Sequence, residues 1–164
     1  MGDLSATLDA VVLAMADARE PWWIIGSAAV VLHGAATSVA DVDVLCGEVD
    51  ARALIAALGG EVLAPAADPV FRSAVFGRCA ATPLPVEVMA GLTVHGAPVR
   101  LATREWRGGA PTPLRAELAA LLRRFGREKD LARAALLDAQ APETEQGLMS
   151  AGSGRDPATR NVAR

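Results

Sequence analysis

Leu4, Leu8, Val11, Val12 and Met15 recur at helical spacing near the start of the chain, while Asp9, Asp17 and Arg19 fall elsewhere. That periodicity predicts an amphipathic first helix, ended near Pro21 and suited to covering a sheet. The run from Trp22 to Ile25 is apolar without alternation and predicts a buried strand, after which Gly26-Ser27 turns the chain into a short helix over Ser27–Leu32. A second apolar run, Asp41 to Cys46, predicts the next strand. Asp50 is then suited to N-cap a helix that runs through Leu58 and stops at Gly59-Gly60.

From Glu61 to Leu101 the pattern changes to short β-type runs, Val70 to Phe76, Val86 to Met89 and Pro98 to Leu101, separated by proline and glycine turns. These runs are expected to extend the same sheet. Leucines return to helical spacing from Leu114 to Phe125, Gly126 breaks the pattern, and Glu128 to Ala139 predicts a last helix. The order of elements is that of an α+β fold, a mixed sheet packed with helices and finished by C-terminal helices. Trp22 and Trp23, being adjacent, face opposite sides of their strand, and a sheet covered on both faces accounts for both better than an exposed interface does.

With 164 residues and 52% hydrophobic content, the chain can bury one substantial core, and a second independent domain would be cramped. One domain is expected over residues 1–140. Residues 141–164 hold Gly, Ser, Pro, Thr and scattered charge with almost no large apolar side chain, and are expected to form a disordered tail. A net charge of -3 gives no global basic field, so strong nonspecific binding to nucleic acid is not expected, although a local basic patch is allowed. Cys46 and Cys79 lie far apart in apolar surroundings, which suits reduced, buried thiols and a cytoplasmic location. Asp3, Asp9, Asp17 and Glu20 replace the basic region of a secretory signal. The apolar stretch Pro21 to Ala36 is interrupted by Gly26, Ser27, His33 and Gly34 and falls short of the roughly 20 residues that span a bilayer, so no membrane partner is expected.

The chemistry is concentrated in Gly26-Ser27-Ala28-Ala29-Val30-Val31-Leu32-His33-Gly34 and in Asp41-Val42-Asp43-Val44-Leu45. The first opens a helix whose N-terminal amides can meet a phosphate. The second carries carboxylates two residues apart, which project from one face of a strand and can share a divalent cation. Each half alone is commonplace, a turn or a solvated strand edge. Their order and spacing raise the significance of both.

An apolar strand, Gly-Ser, an Ala-containing apolar helix ending in His-Gly, and Asp-x-Asp on the following strand together resemble the DNA-polymerase-β-like nucleotidyltransferase superfamily. The resemblance is to its small bacterial members among toxin–antitoxin and abortive-infection proteins of the AbiEii type. It implies a nucleotidyltransferase-like domain, nucleoside triphosphate as substrate, and Mg²⁺ or Mn²⁺ held by Asp41 and Asp43. The third carboxylate that such enzymes commonly add matches Glu87, the sole acid in Pro85-Val86-Glu87-Val88-Met89, as metal ligand or general base. Its alternative is an edge-strand charge facing water.

The same resemblance gives Gly26 and Ser27 the triphosphate, with Ser27 binding and not nucleophilic. It also gives Arg127 and Lys129 of Gly126-Arg127-Glu128-Lys129-Asp130-Leu131 a place facing nucleotide phosphates, against the alternative of a solvated helix start. His33 reads as a cap or core contact and His95 as a surface turn residue. Thr37, Val39 and Glu87 depart from the arginine, threonine and aspartate commoner in relatives. The implied reaction transfers a nucleoside monophosphate to an unidentified acceptor: a protein hydroxyl, a transfer RNA end or a small molecule. A second subunit or cognate partner protein would complete the acceptor site. The alternative is a degenerate nucleotide-binding or partner-binding module that kept the fold.

Overall fold

In the computed structural model, which describes residues 2–65 and 67–140, the predicted first helix is α1, Gly2–Ala14, and it gives way to a turn at Met15–Asp17 instead of running to near Pro21. Its apolar face buries Leu8 and Val11, with Met15 just beyond, and Thr7 turns its hydroxyl back onto the Asp3 carbonyl at 2.8 Å. Strand β1 (Trp23–Ile25) leads without a loop into α2 (Gly26–Leu32), and β2 (Val42–Leu45) and α3 (Glu48–Ala57) follow. The expected tail, 141–164, lies outside the described residues.

Asp50 does not cap α3. The helix begins earlier, with Gly47 at its N-cap, and the buried Asp50 carboxylate reaches across to α1's exit, where it accepts the backbone N–H groups of Arg19 and Glu20 at 3.0 Å.

The middle of the chain departs further from expectation. After the short β3 (Glu61–Val62), the run read as one strand divides into β4 (Phe71–Arg72) and β5 (Val75–Cys79), which belong to different sheets. The break is fixed where the Ala74 N–H donates to the Ala90 carbonyl at 2.9 Å. Strand β6 (Val86–Ala90) agrees with its apolar run, whereas β7 (Thr93–Val94) and β8 (Ala97–Pro98) leave most of Pro98 to Leu101 outside any strand. A hairpin, β9 (Glu105–Arg107) and β10 (Ala110–Thr112), turns at Gly108-Gly109 and was not expected. Helices α4 (Arg115–Phe125) and α5 (Glu128–Asp138) end the described chain, divided by Gly126 in the left-handed region at φ 75°.

The main sheet runs β1-β2-β6-β5-β3, with β2 antiparallel to β1 and parallel to β6. A smaller sheet, β4-β7-β8, stands apart from it, so these runs do not all extend one sheet. Alternation gives β2 two unlike faces. Val42 and Val44, with Val86 and Val88 of β6, are fully buried on the side covered by α1 and α3. Asp41, Asp43, Glu87 and Leu45 point to the other side, where α2, α4 and α5 pack together. Trp22 is buried and meets the Trp106 ring edge-on at 6.4 Å, while Trp23 donates its indole N–H to the Thr103 carbonyl at 2.8 Å. Both faces of β1 are thus covered. Cys46 and Cys79 are free and buried, and burial with the nearby Asp50 and Glu20 charges pushes the Cys46 thiol up to about 12, leaving it inert.

Candidate active site

β2 is an interior strand, hydrogen-bonded on both sides, so Asp43 sits on backbone that cannot shift without breaking two ladders. Asp43 lies opposite Ile25 of β1 and opposite Glu87 of β6. Parallel neighbours in a sheet are about 4.8 Å apart, which sets the bases of these two carboxylates side by side. Asp41 precedes the strand by one residue and shares their face. Glu87 is not on an edge, because β5 continues the sheet beyond it and sets Arg78 opposite. The Arg78 guanidinium lies 3.7 Å from the Glu87 carboxylate.

Gly26 closes one side of this group. It starts α2 with φ 65°, a left-handed value that favours glycine, and a Cβ built there would run into Asp43 Oδ2. The missing side chain therefore gives the Asp43 carboxylate its room. Ser27 follows, buried, in the first turn of α2. At the other end of that helix His33 is a core contact: its Nε2 lies 2.9 Å from the Pro113 carbonyl and its Nδ1 3.7 Å from Glu105. This holds α2 from behind and directs no imidazole at the carboxylates.

The electrostatics follow from burial first and crowding second. Asp43 rises from its ordinary 3.8 to about 7, first because burial penalises its charge, then because Asp41 and Glu87 repel it, with Arg127 and Lys129 opposing. Glu87 is also raised, by burial and then Asp41, against the pull of Arg78, Lys129 and Arg127. No described residue donates a hydrogen bond to Asp43. Acids that raise one another's proton affinity in this way would be relieved by a bound cation.

Over the site stands the start of α5. Arg127 reaches back to Asp130 through Nε to Oδ2 at 2.6 Å and Nη2 to Oδ1 at 3.1 Å, and its guanidinium lies 5.0 Å from the centre of the Phe71 ring. Phe71 meets Phe125 edge-on at 5.4 Å. Asp130 is buried, so this helix start is not simply solvated. Arg127 lines, with Asp43, Glu87, Phe71, Phe125 and Ser73, a cavity of about 200 Å³. Lys129 is exposed and acts on Asp43 and Glu87 only through its field. The structure thus brings Gly26, Ser27, Asp41, Asp43, Glu87 and Arg127 to one place, with Lys129 at its margin. Phe71, Phe125 and Ser73 were not singled out from the sequence, since no motif marks them and only the fold carries them there.

No family profile and no curated protein matches the chain. Solved structures do. A presumed nucleotidyltransferase from Thermotoga maritima, TM1012, superposes with TM-score 0.59 at 18% identity, over 81% of this chain and 91% of that one. The chain has a nucleotidyltransferase fold. ANT(2'')-Ia in complex with adenylyl-2''-tobramycin is similar with TM-score 0.54 at 11% identity, over 81% of this chain and 86% of that one. The solution structure of the same antibiotic-resistance factor gives TM-score 0.53 at 12% identity, over 81% of each chain. Among the described residues no helix is long and apolar enough to cross a membrane.

Proposed function

We propose that this protein is a metal-dependent nucleotidyltransferase, moving a nucleoside monophosphate from a nucleoside triphosphate to an acceptor. The observation that carries the reading is the convergence of Asp41, Asp43 and Glu87 beside the side-chain-free edge of Gly26. Their donors fit a divalent cation: hard carboxylate oxygens on one face of the sheet, buried and crowded enough to raise Asp43 to about 7. Among the described residues no group of three or more His, Cys, Asp or Glu side chains is arranged to hold a metal ion unaided. Asp41 and Asp43 would accordingly hold Mg²⁺ or Mn²⁺ together with substrate oxygens and water, as magnesium commonly binds. The bound ion would supply stabilisation of charge developing on the phosphates.

The chain's own groups do the remainder. The Gly26 and Ser27 amides and the Ser27 hydroxyl face the triphosphate. Because α2 has only seven residues, close approach of the backbone matters more here than a helix dipole. Arg127 and Lys129 offset the charge of phosphates from above. Glu87, held by Arg78, accepts the proton of the attacking hydroxyl or completes the metal shell. Gly26-Ser27, Asp41-x-Asp43 and Arg127-x-Lys129-Asp130 support an affinity with the AbiEii-type toxin–antitoxin group, and the free buried thiols suit a cytoplasmic setting.

Calorimetric titration of each nucleoside triphosphate, with and without Mg²⁺, into the wild type and the Asp41→Asn/Asp43→Asn variant tests the proposal. Metal-dependent binding that disappears in the variant is expected. A folded wild type that binds no nucleotide at millimolar concentration overturns it. A second reading, a nucleotide-binding module without turnover, is favoured by the Arg78 guanidinium 3.7 Å from Glu87, which already engages that carboxylate. It predicts binding that is indifferent to Glu87→Ala.

A further inference from the structure

We propose that Ser73 is an internal acceptor, so that the protein nucleotidylates itself at this hydroxyl; the proposal rests on the function proposed above. Among the described residues lining the cavity that also contains Asp43 and Glu87, Ser73 is the one that carries a hydroxyl. It makes no hydrogen bond to any described residue, so its oxygen is not committed to holding the fold. Its placement is nevertheless firm. The link Ser73-Ala74 between β4 and β5 is tied by the Ala74 N–H to the Ala90 carbonyl at 2.9 Å, on the strand that carries Glu87. It nestles against Gly91, where an added Cβ would come 2.9 Å from that of Ala74.

The surroundings suit transfer. Phe71 and Phe125 wall the cavity with apolar surface, and Arg127 stands above it as a cation for the phosphate being moved. Ser73 also borders a second cavity of about 430 Å³, lined by Phe71, Arg72 and Phe76, which gives the attached nucleoside somewhere to lie. In the reaction Ser73 Oγ forms a bond to the α-phosphorus as the bond from that phosphorus to the bridging oxygen breaks. Pyrophosphate leaves with the electron pair, the hydroxyl proton passes to Glu87 and on to water, and no other reactant is consumed.

The test is to incubate the full chain with each nucleoside triphosphate and Mg²⁺, then to measure intact mass and map the modified peptide. The expected result is a gain of one nucleoside monophosphate on Ser73. The gain is lost in Ser73→Ala, which still binds nucleotide by calorimetry, and in Asp43→Asn, which does not. Metal-dependent nucleotide binding by a wild type that gains no mass, or gains it on another residue, overturns the internal acceptor alone. Absence of both binding and mass gain overturns it together with the proposed function.

Discussion

Two half-buried or buried carboxylates, Asp50 and Asp43, lie on opposite sides of the same sheet and live under opposite conditions. Asp50 takes backbone N–H groups from Arg19 and Glu20, and the chain spends this acid on joining α1's exit to α3. Asp43 receives no such donor from any described residue and faces Asp41 and Glu87 instead. A carboxylate satisfied by amides has no need of anything outside the protein. One surrounded by its own kind is stabilised by whatever cation or proton arrives, and that difference separates the structural acid from the candidate ligand.

Removing each acid should therefore move stability in opposite directions. Asp50→Ala leaves the Arg19 and Glu20 amides without their acceptor and is expected to lower stability by about 3 kcal/mol in urea unfolding. Metal-dependent nucleotide binding by the molecules that remain folded should be unchanged. If Asp50→Ala abolished binding without loss of stability, the division between the two acids would collapse.

Asp43→Asn should do the reverse. Because the folded pKa of Asp43, about 7, lies above its ordinary 3.8, the native state holds the extra proton between those values. Stability then falls as pH rises across that window, and the cost is complete above it. A shift of this size corresponds to about 4 kcal/mol, reduced to about 2 kcal/mol by solvent at a half-buried group. The variant should be more stable than wild type by that amount at pH above 7, with the advantage fading as pH falls from about 7 to 3.8 and gone below it. Mg²⁺ affinity of the wild type should correspondingly weaken as pH drops through about 7, since protons and cation compete for one carboxylate. A pH-independent affinity would sink the assignment of Asp43 as a ligand.

Gly26→Ala sharpens the comparison with the smallest effect on stability, about 1–2 kcal/mol for a side chain at left-handed φ. The new methyl turns the Asp43 carboxylate aside, so nucleotide binding should be lost in calorimetry although the fold melts only slightly earlier. Equal losses of both would mean that Gly26 serves the backbone alone.

Much of this arrangement is legible in the sequence. Alternation along Asp41–Cys46 set both aspartates on one face, and the isolated acid in Val86–Met89 proved to be their neighbour through parallel register. The helices were visible because their apolar spacing is long enough to average out single exceptions. What escaped notice depended on contacts between distant residues. Arg72-Ser73-Ala74 carries no breaker, so nothing local announces that β4 and β5 part there; the Ala90 carbonyl imposes it. Asp50 looks like a cap from its own neighbours, and only the return of Arg19 and Glu20 gives it another partner. The hairpin at Gly108-Gly109 had a turn signal, but its strands are three residues each, too short for alternation to register.

The contact between His33 and the Pro113 carbonyl joins residues 80 positions apart, and it fastens the far end of the helix that starts at Gly26. Chains are made from the N-terminus, so Asp41, Asp43 and Glu87 are all synthesised before Pro113 exists to hold that helix. A nascent or truncated chain consequently owns the acids without the anchored cradle. Closure of that long loop makes synthesis past Pro113 a condition for anchoring the cradle on which the proposed chemistry depends.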